Sequence, residues 1–266
     1  MKRAAVLGSP IGHSLSPFIH NRAYEILGFS GEYEKFDVKS EELETFIARK
    51  STDEWIGFSL TMPLKESIFD LGLEIDKRAK KLRTANTLLR DGNTFKALST
   101  DVLAFDRILG QLEFTSVAII GGGGTARAAL GSLDGKVAAV TILQRDNKRN
   151  ELLSACVDSS HLTFADMKTS LESFDLVIST TPSGVSDTFV PTISSSTGTL
   201  IEVLYKPWPT SLASAWVANG GRVIHGLDLL VEQALDQITL MTNMRFDYES
   251  MRETLLADVL THNRGL

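Results

Sequence analysis

The stretch "SVAIIGGGGTARAAL", residues 116–130, decides the fold. An apolar run, 116–120, reads as a buried strand, four glycines follow, and an alanine-rich run then reads as a helix. Gly121, Gly122, Gly123, Gly124, Thr125 and Ala126 match G-x-G-x-x-A. In that pattern the first glycine permits the tight turn, and the second lets backbone N–H groups approach a pyrophosphate. The small sixth residue lets the helix pack closely on the strand. A phosphate then rests on the helix N-terminus, where unpaired N–H groups and the helix dipole favour an anion.

The kind of nucleotide is read at the end of the next strand. An Asp or Glu about 20 residues on would hold the ribose hydroxyls of NAD. Here the segment is "LQRDNKR", with Gln144 at that position and Arg145 and Arg149 after it. A planar guanidinium suits both a 2′-phosphate and the face of an adenine. Cations at a helix start oppose the dipole unless an anionic partner joins them. NADP is therefore favoured. Asp146 pulls the other way and leaves NAD or dual use open.

Outward from the glycines, strands and helices alternate in both directions. The chain has 266 residues, enough for two domains with full cores. Before the glycines, strands are expected at 3–8, 31–38 and 55–60, and helices at 17–27, 40–50, after Pro63 and at 74–83. A hairpin spans 85–100, turning at Asp91-Gly92, with a helix from 101. After them, strands are expected at 136–144, 174–180 and 198–204, and helices at about 147–156, 227–241 and 247–260. Such alternation implies βαβ units. The expected fold is α/β. An N-terminal substrate domain, 1–101 plus about 240–266, joins a Rossmann-type dinucleotide-binding domain, 102–239. The cleft between them would lie at the crossovers near Asp101 and Gly226.

Composition narrows the class. The formal net charge of -6 argues against a nucleic-acid or anionic-membrane partner. The lone Cys156 allows no intramolecular disulfide and fits a reducing compartment. No apolar run reaches the ~18–20 residues of a membrane span, and "MKRAAVLGSPIG" breaks too early for a signal peptide. A cytoplasmic protein is expected. The five histidines lack ligand spacing, so no metal site is expected.

Two stretches of the first domain carry chemistry. In "GSPIGHSLSPFIH", Ser16 and Pro17 read as a cap and first helical residue, and Ser14 adds a second hydroxyl beside the same helix N-terminus. Two hydroxyls at a positive helix end suit a small carboxylate. In "FSLTMPLKES", a strand delivers Thr61, and Lys65 falls in the first turn of the next helix. A cation there opposes the dipole, a placement that suits a group exchanging protons.

"SPIGHSLSP", "TMPLK", "ANT", "STD", "GGGGTAR" and "GLDLLVEQA", in this order and at these spacings, resemble the shikimate dehydrogenases along essentially the whole chain. The resemblance implies an NADP-dependent enzyme that reversibly reduces 3-dehydroshikimate to shikimate, as a monomer or homodimer. It implies that Ser14 and Ser16 bind the substrate carboxylate. Thr61, Asn86, Asp101 and Gln233 would bind ring hydroxyls, with Tyr205 lining the site. Lys65, paired with Asp101, would be the acid/base. The glycine loop, Gln144, Arg145 and Arg149, with Thr180 and Gly226, would hold the cofactor. The chain departs from the family at Ser59 and Ser99, where Asn is usual, and at Ala104, Asp146 and His225. Those departures leave open quinate or a related cyclic polyol acid with NAD. A non-catalytic nucleotide-binding regulator and a methyltransferase are the rivals from other classes. Gln144 counts against the second, which would usually need an acid there.

Overall fold

The structure is a computed structural model and describes residues 1–266 except 51, 53, 196, 197, 265 and 266. The chain divides into two units, Met1–Leu103 with Leu230–Leu266, and Ala104–Leu229. The sequence placed the second boundary near 240. It falls ten residues earlier because the side chains of Gln233 and Gln237 are bonded into the first unit.

The first unit holds β1 (Lys2–Gly8), α1 (Ser16–Leu27), β2 (Gly31–Asp37), α2 (Leu43–Arg49), β3 (Trp55–Leu60), α3 (Leu64–Ser67), β4 (Glu74–Ile75), α4 (Lys77–Leu82), β5 (Thr87–Asp91) and β6 (Thr94–Leu98). The sheet order is β2-β1-β3-β5-β6-β4. β1 pairs in parallel with β2 and β3, while β5 is antiparallel to both β3 and β6. The sheet is thus mixed rather than parallel, because the 85–100 hairpin enters it whole. Asp91 pairs with Thr94 across a two-residue turn in which Gly92 takes φ 55°. β1 alternates Ala5 and Leu7 toward a core with Trp55, Phe58 and Phe95, and Ala4 and Val6 toward Tyr24, Tyr33 and Met241. Both faces are covered, hence a near-continuous apolar strand.

This pairing decides where the chemistry goes. β1, β3 and β6 run one way and β5 the other. The C-terminal ends of the first three and the N-terminal end of β5 therefore share one edge. Ser14 and Ser16 follow β1, Thr61 and Lys65 follow β3, Asn86 precedes β5 and Asp101 follows β6.

The second unit holds β7 (Val117–Ile120), α6 (Gly124–Leu133), β8 (Ala139–Leu143), α7 (Asn150–Ser154), β9 (His161–Ala165), β10 (Leu176–Ser179), β11 (Thr199–Glu202), α8 (Ser211–Ala218) and β12 (Arg222–Ile224). All its strands are parallel, in the order β12-β11-β10-β7-β8-β9. That is the doubly wound Rossmann order, with its switch point between β7 and β10. Helices α5 (Thr100–Leu109) and α9 (Gly226–Thr242) contain the unit boundaries, and α10 (Tyr248–Arg264) closes the chain. α10 packs on α1 through an Arg22–Asp258 ion pair at 2.8 Å and a Phe18–His262 stack.

Several local expectations are corrected. Ser16 does not cap α1: it is the first helical residue, and Leu15 holds the cap position without a side-chain cap bond of its own. The cap role is displaced because the Ser14 hydroxyl already accepts the Ser16 N–H at 3.3 Å. The helix expected at 74–83 starts only at Lys77. Asp76 caps it, accepting the N–H groups of Arg78 and Ala79, and frees Glu74 and Ile75 to pair with β6. The helix expected at 40–50 opens as a 3-10 turn over Ser40–Glu42, with Lys39 at the cap position. β9, α8 and β12 were not anticipated.

Candidate active site

At the shared edge the Lys65 ammonium donates to Oδ2 of Asp101 at 2.5 Å, and both side chains are largely buried. The other carboxylate oxygen, Oδ1, accepts the Asn86 amide at 2.9 Å. Asn86 is itself pinned. Its amide also donates to Thr100 Oγ1 and to Gln233 Oε1, and its carbonyl oxygen accepts the Thr100 N–H at 2.7 Å. A carboxylate held on both oxygens has one orientation, and the lysine is held with it. The structure thus brings four expected residues, Lys65, Asn86, Asp101 and Gln233, into one hydrogen-bonded cluster.

Thr61 lies at the same edge, anchored by its N–H to the Leu7 carbonyl at 2.9 Å. Ser14 and Ser16 stand at the start of α1, Ser14 half-buried and Ser16 buried. The Ser14 hydroxyl accepts the Ser16 N–H, so both serine hydroxyls lie at the positive end of α1.

Beneath this cluster lies a polar layer that the sequence did not disclose. Gln237 donates to the Asn86 backbone carbonyl at 3.3 Å and to Thr87 Oγ1 at 2.9 Å, and accepts the Ser59 hydroxyl at 2.7 Å. Tyr33 donates to Ser59 at 2.5 Å, and His20 stacks on Tyr33 with ring centres 3.8 Å apart. His20 Nδ1 bonds the Ser16 carbonyl at 2.9 Å; a carbonyl only accepts, so the neutral ring carries its proton there. Burial pushes the Tyr33 phenol up, which keeps it a donor.

Burial holds His20 down at about 4, against 6.5 in the unfolded chain. Below pH 6.5 the unfolded chain takes up a proton that the fold refuses. The stability His20 confers at neutral pH is therefore lost progressively from pH 6.5 toward pH 4. Urea unfolding across this range should show the parent losing about 1.4 kcal/mol per pH unit more than His20→Gln. Parallel curves for the two proteins would contradict a buried neutral imidazole.

In the second unit, Gly121 leaves β7 with φ 109°, a conformation that side chains rarely adopt. A Cβ there would lie 2.7 Å from Thr180 Oγ1 at the end of β10. Thr180 is tied to the same strand end, its hydroxyl donating to the Ile120 carbonyl at 2.8 Å. Gly123 precedes α6 with extended backbone and no side-chain cap. Gly122, Gly124 and Thr125 are half-buried and Ala126 is buried against the sheet. Glycines, an uncapped ten-residue helix and the switch point coincide, as a pyrophosphate cradle requires.

Arg149 reaches back to this loop, donating to the Gly122 carbonyl at 2.9 Å. Gln144 at the end of β8 bonds Asn150, and Arg145 is exposed beside it. The Asp146 carboxylate folds back to accept the Lys148 N–H at 3.1 Å, with the Lys148 ammonium 3.8 Å away. Gly226 is buried: a Cβ would sit 2.4 Å from the Val203 carbonyl, so its absence lets α9 start against the end of β11. His225 precedes it and accepts the Leu227 N–H at 2.9 Å, as an acidic cap would, and burial holds it neutral at about 4. Tyr205 is half-buried in the segment after β11.

A doubly wound nucleotide-type unit, joined to a second α/β unit carrying an oriented Lys–Asp pair, defines a two-domain dehydrogenase. Family models match in three segments: the shikimate dehydrogenase substrate binding domain at 6–88, shikimate / quinate 5-dehydrogenase at 104–187, and the shikimate 5′-dehydrogenase C-terminal domain at 226–256. A shikimate dehydrogenase (NADP(+)) of Prochlorococcus marinus is 31% identical over 94% of this chain and 95% of its own. The shikimate dehydrogenase of Mycobacterium tuberculosis has a crystal structure matching at TM-score 0.88 and 32% identity, over 97% of this chain and 100% of that one. The Thermus thermophilus shikimate 5-dehydrogenase, in complex with NADP(H) and shikimate, matches at TM-score 0.80 and 26% identity, over 96% and 98%. The chain belongs to the shikimate dehydrogenase family, which is a family of oxidoreductases. That membership sets the methyltransferase alternative aside. No helix among the described residues is long and apolar enough to cross a membrane.

Proposed function

We propose that this chain is an NADP-dependent shikimate dehydrogenase, interconverting shikimate and 3-dehydroshikimate in the cytoplasm. One observation carries the reading: Lys65 and Asp101 are 2.5 Å apart at a sheet edge, with the carboxylate clamped by Asn86. Oxidising a ring hydroxyl requires a hydride to leave its carbon and a proton to leave its oxygen. A bound NADP(H) would supply the hydride acceptor for oxidation and the hydride donor for reduction. The Lys65–Asp101 pair holds the hydroxyl, takes its proton as the carbonyl forms, and gives a proton back on reduction. Ser14 and Ser16, at the positive start of α1, hold the carboxylate. Thr61, Asn86 and Gln233 receive the remaining hydroxyls, and Tyr205 lines the site.

The second unit fits NADP by its own geometry. The Gly121–Ala126 turn and the α6 N-terminus would take the pyrophosphate, with Thr180 and Gly226 shaping the strand ends around it. Gln144, Arg145 and Arg149 would face the adenosine end, and the arginines would take a 2′-phosphate. The Asp146 carboxylate, engaged by Lys148, supports this reading over a ribose-binding acid. Purified protein given shikimate and NADP⁺ should form reduced nicotinamide. A protein that binds the nucleotide but forms none would instead be the non-catalytic regulator.

A further inference from the structure

Between the Ser16 carbonyl and the Lys65–Asp101 pair runs a set of buried hydrogen bonds joined at one point by the His20–Tyr33 ring stack, and its central member is Gln237. Its amide spans two directions at once. The nitrogen side holds the Asn86 carbonyl and Thr87, on the strand whose first turn orients Asp101. The oxygen side accepts Ser59, which accepts Tyr33, whose ring lies on His20, which bonds the Ser16 carbonyl. Gln237 and His20 are 0% exposed and Asn86 2%, so water does not compete for these bonds. Removing one member of a buried hydrogen-bonded set strands its partners, here the Asn86 carbonyl, Thr87 and Ser59 around Gln237.

We propose that Gln237 is a positioning residue for this reaction. It fixes Asn86, and through Asn86 the Asp101 carboxylate, relative to the helix start that takes the substrate carboxylate. It touches neither substrate nor cofactor. The same arrangement accounts for Ser59 at a position where the family often has Asn. The short hydroxyl fits between the Tyr33 phenol and the Gln237 carbonyl, donating to one and accepting from the other.

The inference rests on the dehydrogenase reading and is tested beside it. Steady-state kinetics with shikimate and NADP⁺, over a range of pH, are measured for the parent, Gln237→Leu and Gln237→Glu. Leucine keeps most of the volume and no hydrogen bond. It should lower kcat by about 10-fold or more at every pH, leaving the NADP⁺ KM within about twofold. Buried glutamate can donate to the Asn86 carbonyl only while protonated, and burial favours that form. Gln237→Glu should therefore approach the parent at acid pH and fall toward the leucine variant as pH rises. A purely structural role would lower the melting temperature of both variants without this pH-dependent rescue, and would overturn the proposal. So would a Gln237→Leu protein with parental kcat. If Gln237→Leu does not fold, Ser59→Ala reads the same link. A kcat drop of about 3-fold or more at unchanged NADP⁺ KM supports it, and a parental kcat overturns it. A parent inactive with shikimate overturns the functional reading and this inference with it. An active parent with unaffected variants overturns the inference alone.

Discussion

Lys65→Ala should lower kcat for shikimate oxidation by about 10²–10⁴-fold, the usual worth of a positioned proton-transfer group. The fold should survive, because α3 is a four-residue helix and Lys65 lies at the sheet edge rather than in the apolar core. The substitution does leave the largely buried Asp101 without its cation. Asn86 still donates to the other carboxylate oxygen, so stability should fall by roughly 1–3 kcal/mol rather than collapse. Shikimate KM should change far less than kcat if, as proposed, Ser14 and Ser16 hold the carboxylate. Circular dichroism, urea unfolding and initial rates on one preparation check all three. Near-parental turnover would remove Lys65 from the mechanism.

Gly121→Val should do comparable damage from the other unit. Valine at φ 109° is strained wherever it occurs. Its Cβ would also press on Thr180 Oγ1, which is fixed by its bond to the Ile120 carbonyl. The loop must move, and a displacement of about 1 Å at a phosphate cradle costs on the order of 10²-fold in kcat/KM for NADP⁺. Shikimate binding in the absence of nucleotide, measured by calorimetry, should stay within about twofold, because the substituted loop lies in a different unit from the serines and Asn86. Unchanged NADP⁺ kinetics would show that the cofactor does not use this turn.

How legible each part was follows from how local its signal is. The glycine turn announces itself within a few residues, as strand, φ-permissive turn and helix in succession. The hairpin does so by alternation around Asp91-Gly92. Lys65, Asn86 and Asp101 were found through short motifs, but only the sheet explains why they meet. β5 runs against β3 and β6, so the residue before one strand and those after the others fall on one edge. No period in the sequence carries that information.

The missed elements are short or weakly patterned. β12 has three residues, and β9 is an edge strand of mixed burial. α8, "SLASAWVA", follows two prolines and has no charged first turn to mark its start. Gln237 was invisible for a different reason. It sits on a helix whose pattern was read correctly, but its partner Ser59 lies 178 residues away. His20 is one of several scattered histidines in the sequence, and only the fold stacks it on Tyr33 and bonds it to Ser16. The departures from the family read better in three dimensions. His225 accepts the Leu227 N–H at the start of α9, and Asp146 turns onto Lys148.

The measurement that tests the whole account most directly is a matrix of kcat/KM, with shikimate and quinate each paired with NADP⁺ and NAD⁺. Shikimate with NADP⁺ should exceed every other pairing by about 10-fold or more, the discrimination that paired hydrogen bonds and a bound 2′-phosphate supply. A higher value for quinate with NAD⁺, or no nucleotide reduction with any pairing, would contradict it.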